Sequence, residues 1–273
     1  MSAILQKALD LVPFRFRDKI RKIPVLKQVQ NFLVKRMMND KEFVATISGG
    51  PAKGLKFPVR MPGDKQMWIG TWEIEFSEAL AANIQKGMVC YDIGGYKGYY
   101  AGVMALKGAS KVLVFEPMPT NIRNIQKLIN ENKNLPIELI QAAVSDKSGT
   151  AIFKLMPEET MGKLEASGFQ AGEKGLQDLE VTCVALDDLQ QKGYAAPDFI
   201  KIDVEGAEEF VLKGALNLLR TKKPLLMIEV HSPAIGKKCL ELLEPIYSSI
   251  EVFETGKHPR EGTPEICHFT VRA

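Results

Sequence analysis

The chain has 273 residues, 45% of them apolar and 25% charged, which is material for one large α/β domain and a small appendage. That balance excludes a disordered or fibrous chain, and a net charge of only +3 argues against a dedicated nucleic-acid binder. No uninterrupted apolar run approaches the ~18 residues of a membrane span.

Residues 1–42 are expected to form a basic amphipathic helical arm. Nine Lys and Arg face only Asp10 and Asp18 within 1–36, and Val25, Leu26, Val29, Phe32 and Leu33 recur at helical spacing. Such an arm packs on the main domain or on a partner subunit, or touches an anionic membrane surface. Pro13, Pro24 and the early Asp10 speak against a transit peptide. Residues 43–71 read as a lead-in β-hairpin, with strands at 43–48 and 55–59 around Gly49-Gly50-Pro51. A helix over 72–86 then opens the main domain, 72–273.

From residue 88 strands and helices alternate. Strand 88–93 leads to helix 98–107, strand 111–116 to helix 120–132, and strand 137–142 to a turn at 145–149. Strand-like segments 150–155 and 179–184 flank a glycine-dotted loop, 156–178, which reads as a lid or acceptor-side loop. Strand 198–203 leads to a helical region 207–220, and strand 225–230 to helix 235–244. Strands 249–254 and 266–271 pair antiparallel at one edge. The expected fold is therefore a mostly parallel, Rossmann-like α/β sheet with helices on both faces and an antiparallel edge strand. Ligands bind beyond the C-terminal strand ends of such a sheet. Cys90, Cys183, Cys239 and Cys267 form no C-x-x-C pair and read as thiols in a reducing compartment, so the cytoplasm is the expected location.

Two of these strand ends carry acids. Asp92 precedes a turn containing Gly94, Gly95, Tyr96 and Gly98, and Glu116 follows the next strand. Glycines let a backbone approach a ligand where a Cβ would collide. A pyrophosphate would be repelled by Asp92, whereas an α-ammonium would be drawn to it. Glu116 falls near the spacing of ~20 residues at which an acid accepts hydrogen bonds from ribose hydroxyls. A cationic nucleoside such as S-adenosylmethionine satisfies both acids. A second group converges on the same sheet edge: Asp203 and Glu205 before Gly206, then Glu229 and His231 on one side of the following strand end.

The run from Trp72 to His231 resembles the FkbM family of S-adenosylmethionine-dependent methyltransferases. The resemblance rests on Asp92-x-Gly94 to Gly98, Val114-Phe115-Glu116-Pro117, Ala142-Ala143-Val144-Ser145-Asp146 to Gly149, and Lys201-Ile202-Asp203-Val204-Glu205-Gly206-Ala207-Glu208. It implies a class I methyltransferase fold with a seven-stranded sheet, and O-methylation of a hydroxyl on a sugar, glycolipid or secondary metabolite. It further implies Asp92, Gly94, Gly95, Tyr96, Gly98, Glu116, Pro117, Ala143 and Asp203 at the cofactor. On the acceptor side it implies Glu205, Glu229, Trp72 and Glu73. The partner is then a small-molecule or glycan acceptor, with no nucleic acid expected. For the reaction, His231 is the expected base and Asp203 and Glu205 the acceptor-binding acids; no ligand spacing calls for a metal. The family turn commonly reads Asp-x-Gly-Ala-Asn-x-Gly, and Gly95 and Tyr96 depart from it. A non-catalytic cofactor-binding or assembly protein is the alternative that this departure raises.

Overall fold

A computed structural model describes residues 41–155, 162–164 and 177–273. The basic arm, apart from its last two residues, and most of the 156–178 loop lie outside the described residues.

In chain order, β1 (Glu42–Thr46) and β2 (Lys56–Arg60) pair antiparallel, as the hairpin pattern predicts. Two helices, α1 (Lys65–Ile69) and α2 (Ile74–Asn83), follow. Then come β3 (Val89–Ile93), α3 (Tyr99–Leu106), β4 (Lys111–Phe115), α4 (Pro119–Glu131) and β5 (Ile137–Ile140). A second, four-stranded sheet holds β6 (Ala143–Val144), β7 (Gly149–Leu155), β8 (Gly162–Leu164) and β9 (Gln177–Val184). The chain returns through α5 (Leu186–Gln191) to β10 (Phe199–Ile202), α6 (Glu208–Lys213), α7 (Leu216–Lys222), β11 (Leu225–Val230), α8 (Pro233–Leu243), β12 (Ser249–Val252) and β13 (Cys267–Arg272).

The main sheet has seven strands in the order β12-β13-β11-β10-β3-β4-β5. All neighbours are parallel except β13, which runs antiparallel to both β11 and β12. The antiparallel strand thus lies one place in from the edge rather than at it. Its composition suits an interior position: Cys267, Phe269 and Val271 are buried, and so is Thr270 on the opposite face.

Side-chain alternation sends each strand's residues to two cores. Tyr91, Ile93, Leu113, Phe115, Ile200 and Ile228 join Leu189, Val211, Leu212, Leu219, Cys239 and Leu243, which come from α5 to α8. On the other face Cys90, Val112, Val114, Phe199 and Met227 meet α2, α3 and α4. The hairpin supplies Ala45, Phe57 and Val59 to that same core. Asn132 at the end of α4 fixes the hairpin in place, its amide donating to Lys56 O at 2.7 Å and its Oδ1 accepting from Lys56 N at 3.1 Å. The lead-in is therefore part of the main packing unit.

Helix boundaries differ from the periodicity in two places. The expected helix over 72–86 spans only Ile74–Asn83, because Glu73 before it takes a left-handed conformation, φ 38°. The expected region 207–220 divides into α6 and α7 at Gly214, where a Cβ would lie 2.0 Å from Ser145 O. Close approach of another chain segment leaves no trace in helical periodicity.

Candidate active site

The turn after β3 is built onto its neighbours. Gly94 and Gly95 N–H both donate to Phe115 O, at 3.1 and 3.0 Å. Gly94 adopts φ 76°, and a Cβ there would stand 1.7 Å from Asp203 O, so the turn and the end of β10 are in direct contact. Tyr96 is also left-handed, φ 50°. This is a conformation that Asn tolerates and bulky residues disfavour, yet Tyr96 N–H still donates to Glu116 Oε2 at 2.8 Å. The backbone of the turn is therefore intact around the residue that departs from the family pattern.

Glu116 receives a second backbone donor, Met118 N–H at 2.9 Å on Oε1, and is 3% exposed. Burial pushes its carboxyl up to about 7 despite those two bonds.

Beside the turn lies a cavity of about 470 Å3, within the range of roughly 300–1,000 Å3 common for small-molecule sites. Its wall includes Gly94, Gly95, Tyr96, Glu116, Pro117 and Ala143 from the predicted cofactor set. Trp72, Glu73, Asp203, Glu205 and Glu229 from the predicted acceptor and catalytic sets line the same space. Asp92, Gly98 and His231 do not line it. Gly98 caps α3, where its φ of 84° starts the helix. Asp92 is fully buried behind the wall, and neither carboxylate oxygen has a hydrogen bond of ordinary geometry. Burial raises its pKa, opposed by Lys201, whose Nζ lies 3.6 Å away.

Lys201 is a site residue that the sequence reading passed over. It occupies the middle of an otherwise apolar strand, Phe199-Ile200-Lys201-Ile202, and is 3% exposed. Its Nζ donates to Gly94 O and to Asp203 Oδ2, each at 3.1 Å. Burial works against the ammonium charge, but Asp203 and Asp92 hold its pKa above the ordinary value. A lysine inside a buried strand was the available signal, since such a charge needs partners.

Glu208, the first residue of α6, was also passed over. It is fully buried, accepts from Gly206 N–H at 3.1 Å, and its Oε1 lies 2.5 Å from His231 Nδ1. The other imidazole nitrogen, Nε2, faces Glu205 Oε2 at 3.4 Å, Asp203 Oδ1 at 3.8 Å and Glu229 Oε1 at 3.9 Å. Burial alone would lower the His231 pKa, but Glu208, Asp203 and Glu205 raise it to about 9. Glu205 reaches this cluster from a left-handed backbone, φ 51°. Also on the cavity wall, Tyr100 O–H donates to Glu73 Oε2 at 2.5 Å, and burial raises the Glu73 carboxyl. Of the four non-glycine residues with positive φ among the described residues, Glu73, Tyr96 and Glu205 border this cavity. Strained backbone gathers where function over-determines it.

The "Methyltransferase FkbM domain" family matches residues 92–257. The hexuronic acid methyltransferase AglP of Haloferax volcanii is 26% identical over 176 residues, 63% of this chain and 68% of that one. Among solved structures, an FkbM methyltransferase of Methylobacillus flagellatus is 20% identical with a TM-score of 0.48, over 69% of this chain and 44% of that one. A precorrin-6y C5,15-methyltransferase of Geobacter metallireducens is 12% identical with a TM-score of 0.46, over 73% and 89%. Glu116 on the cavity wall, the close-lying backbone of Gly94 and Gly95 and a wall of carboxylates suit a ribose diol and a sulfonium, so the residues present fit S-adenosylmethionine. With its family pattern matched over 166 of 273 residues, this chain belongs to the FkbM family of S-adenosylmethionine-dependent methyltransferases.

Proposed function

We propose that the chain O-methylates a hydroxyl of a sugar, glycolipid or similar polyhydroxylated acceptor. The observation that carries this is one cavity holding both the ribose acid Glu116 and the carboxylates Asp203, Glu205 and Glu229. Carboxylates accept hydrogen bonds and protons, which is what an alcohol acceptor must give up. The named activity of the Haloferax relative, on a hexuronic acid, supports the sugar class.

Bound S-adenosylmethionine supplies an electrophilic methyl group on its sulfonium. Gly94, Gly95 and Tyr96 would hold its methionine end, and Glu116 would accept from its ribose hydroxyls, with Pro117 and Ala143 on the same wall. Asp203 and Glu205 receive the acceptor hydroxyl, with Glu229, Glu73 and Trp72 around it. We assign the departing proton to these carboxylates rather than to His231. The imidazole stands outside the cavity wall, with Nδ1 on Glu208 and Nε2 turned to the acids. His231 then acts as a positioning residue. Asp92 serves through Lys201, holding the buried lysine that grips both Gly94 and Asp203.

The test is methyl transfer from labelled cofactor to a panel of neutral, acidic and amino glycosides, with the methylated atom identified in the product. Asp203→Asn and Glu205→Gln should each lower kcat by about 10²–10⁴ and leave S-adenosylhomocysteine binding within a few-fold. Unchanged turnover in both variants, or methyl on nitrogen or sulfur, would overturn the reading.

A further inference from the structure

We propose that Asp203, Glu205 and His231 form a divalent-cation site, suited to Mg²⁺ or Mn²⁺, on the acceptor side of the cavity. One carboxylate oxygen from each acid and one imidazole nitrogen lie within 4.8 Å of one another. Ligands of a single cation with bonds of about 2.1 Å stand about 3 Å apart when adjacent and about 4.2 Å apart when opposed. The separations from Nε2, 3.4 Å to Glu205 and 3.8 Å to Asp203, fall between those values.

Three independent features prepare this point. Glu208 sits on the far ring nitrogen, fully buried and tied to Gly206 N–H, which orients Nε2 toward the acids. A carboxylate behind a histidine is the usual way a metal-ligating imidazole is oriented and made more basic. The second Glu208 oxygen is buried without a hydrogen-bond partner, so its charge is answered chiefly through the ring. Next, Glu205 brings its carboxylate here from a left-handed backbone, a conformation costly for a non-glycine residue. Finally, charge is unbalanced. Four carboxylates, Asp203, Glu205, Glu208 and Glu229, face His231; the other cations at hand are His268, 3.6 Å from Glu229 and shared with Glu254, and Lys201, shared with Asp92. Close acids, one of them fully buried and three partly so, attract a counter-cation.

Two oxygens and one nitrogen are a hard donor set, and the four cysteines are buried elsewhere, which favours Mg²⁺ or Mn²⁺ over thiophilic metals. Because Asp203 and Glu205 line the cavity, the remaining coordination positions open toward it. An acceptor hydroxyl bound there would have its pKa lowered by the cation, and would lose its proton more readily to a neighbouring carboxylate or to water. The site presupposes the reading that this acid wall faces the acceptor.

The experiment is titration of Mn²⁺ into the chelator-treated full chain, followed by electron paramagnetic resonance of free Mn²⁺, with S-adenosylhomocysteine binding as the check on folding. One saturable site per chain is expected. His231→Ala, Asp203→Asn and Glu205→Gln should each weaken it at least ~10-fold, and Glu208→Gln by about 10–100-fold. No saturable binding, or binding that survives all three ligand substitutions, overturns the site. If methyl transfer also persists in chelator, the cation fails while the acceptor reading stands. If instead Asp203→Asn and Glu205→Gln leave transfer intact, the acceptor reading fails whatever Mn²⁺ does.

Discussion

At Glu116 two opposing forces meet. Burial favours the protonated acid, while Tyr96 and Met118 N–H favour the carboxylate, and the pKa settles at about 7. The folded chain therefore holds this proton more tightly than the unfolded chain, whose glutamate titrates near 4.5. Its contribution to stability is greatest below that lower value and is lost as pH rises through about 7. Cofactor binding has the opposite sign, since ribose hydroxyls donate to the ionised form. Affinity for S-adenosylhomocysteine should climb between pH 6 and 8 and then level off. Calorimetry across that range should show the rise in the native chain and a flat, ~10–100-fold weaker profile in Glu116→Gln. An equal rise in both would remove Glu116 from the cofactor site. The sequence showed this acid because it ends an apolar strand at a ribose spacing. It could not show that Asp92, still inside its strand, would be sealed behind the wall. In the sheet register Asp92 pairs with Val114, two residues short of Glu116 on the same pleat face, so it lies deeper, where Lys201 on the neighbouring strand compensates it.

Among elements, the lead-in and the cofactor turn are joined by a pair that neither segment's pattern reveals. Lys97 Nζ lies 2.6 Å from Asp64 Oδ1, both nearly buried, and Asp64 Oδ2 also accepts from Arg60 N–H at 2.7 Å. Removing one partner strands a charge, which costs about 3–5 kcal/mol. Asp64→Ala should therefore lower the denaturation midpoint strongly. The double variant Asp64→Ala, Lys97→Met should recover much of the loss, and chemical unfolding of the two would show it. A double variant no more stable than the single would mean the pair carries little. Strands and their order of appearance were legible from apolar runs. The four-stranded second sheet was not, because β6 and β9 pair far apart in sequence, Ala143 with Cys183 and Val144 with Val184, and β8 falls inside a segment with no apolar alternation. Helix α1 was likewise hidden in what reads as hairpin and loop, five residues being too few for a periodicity to register.

For the molecule as a whole, negative charge collects at one end of the sheet. Glu73, Asp203, Glu205, Glu229 and Glu116 all border the cavity, and Lys201 is its only ammonium among the described residues. A ligand with positive charge where the methyl group sits should gain from that field, by several kcal/mol at most for charges ~5 Å apart near a protein surface. An amine-bearing analogue of the cofactor should thus bind at least ~10-fold more tightly than neutral-sulfur S-adenosylhomocysteine when both are titrated in chelator. Equal affinities would show that the acids are compensated. The alternation of strands and helices told in advance which sheet edge would hold these groups. How deep each would lie was beyond it.

The lead-in bears on where this protein begins in practice. The family pattern starts at residue 92, but the physical unit starts earlier: Ala45, Ile47, Leu55, Phe57, Val59 and Met61 lie in one core with Tyr99, Met104, Val112 and Val114. An expression clone cut to the recognisable motif would strip the hairpin and α2 from one face of the sheet, leaving the core around α3 and α4 open, and would also remove β13 from between β11 and β12. Such a fragment would reach the crystalliser or the assay bench as inclusion bodies, and its silence would say nothing about the enzyme. Clone boundaries for this chain belong at or before residue 41 and past β13, set by the core and not by the motif.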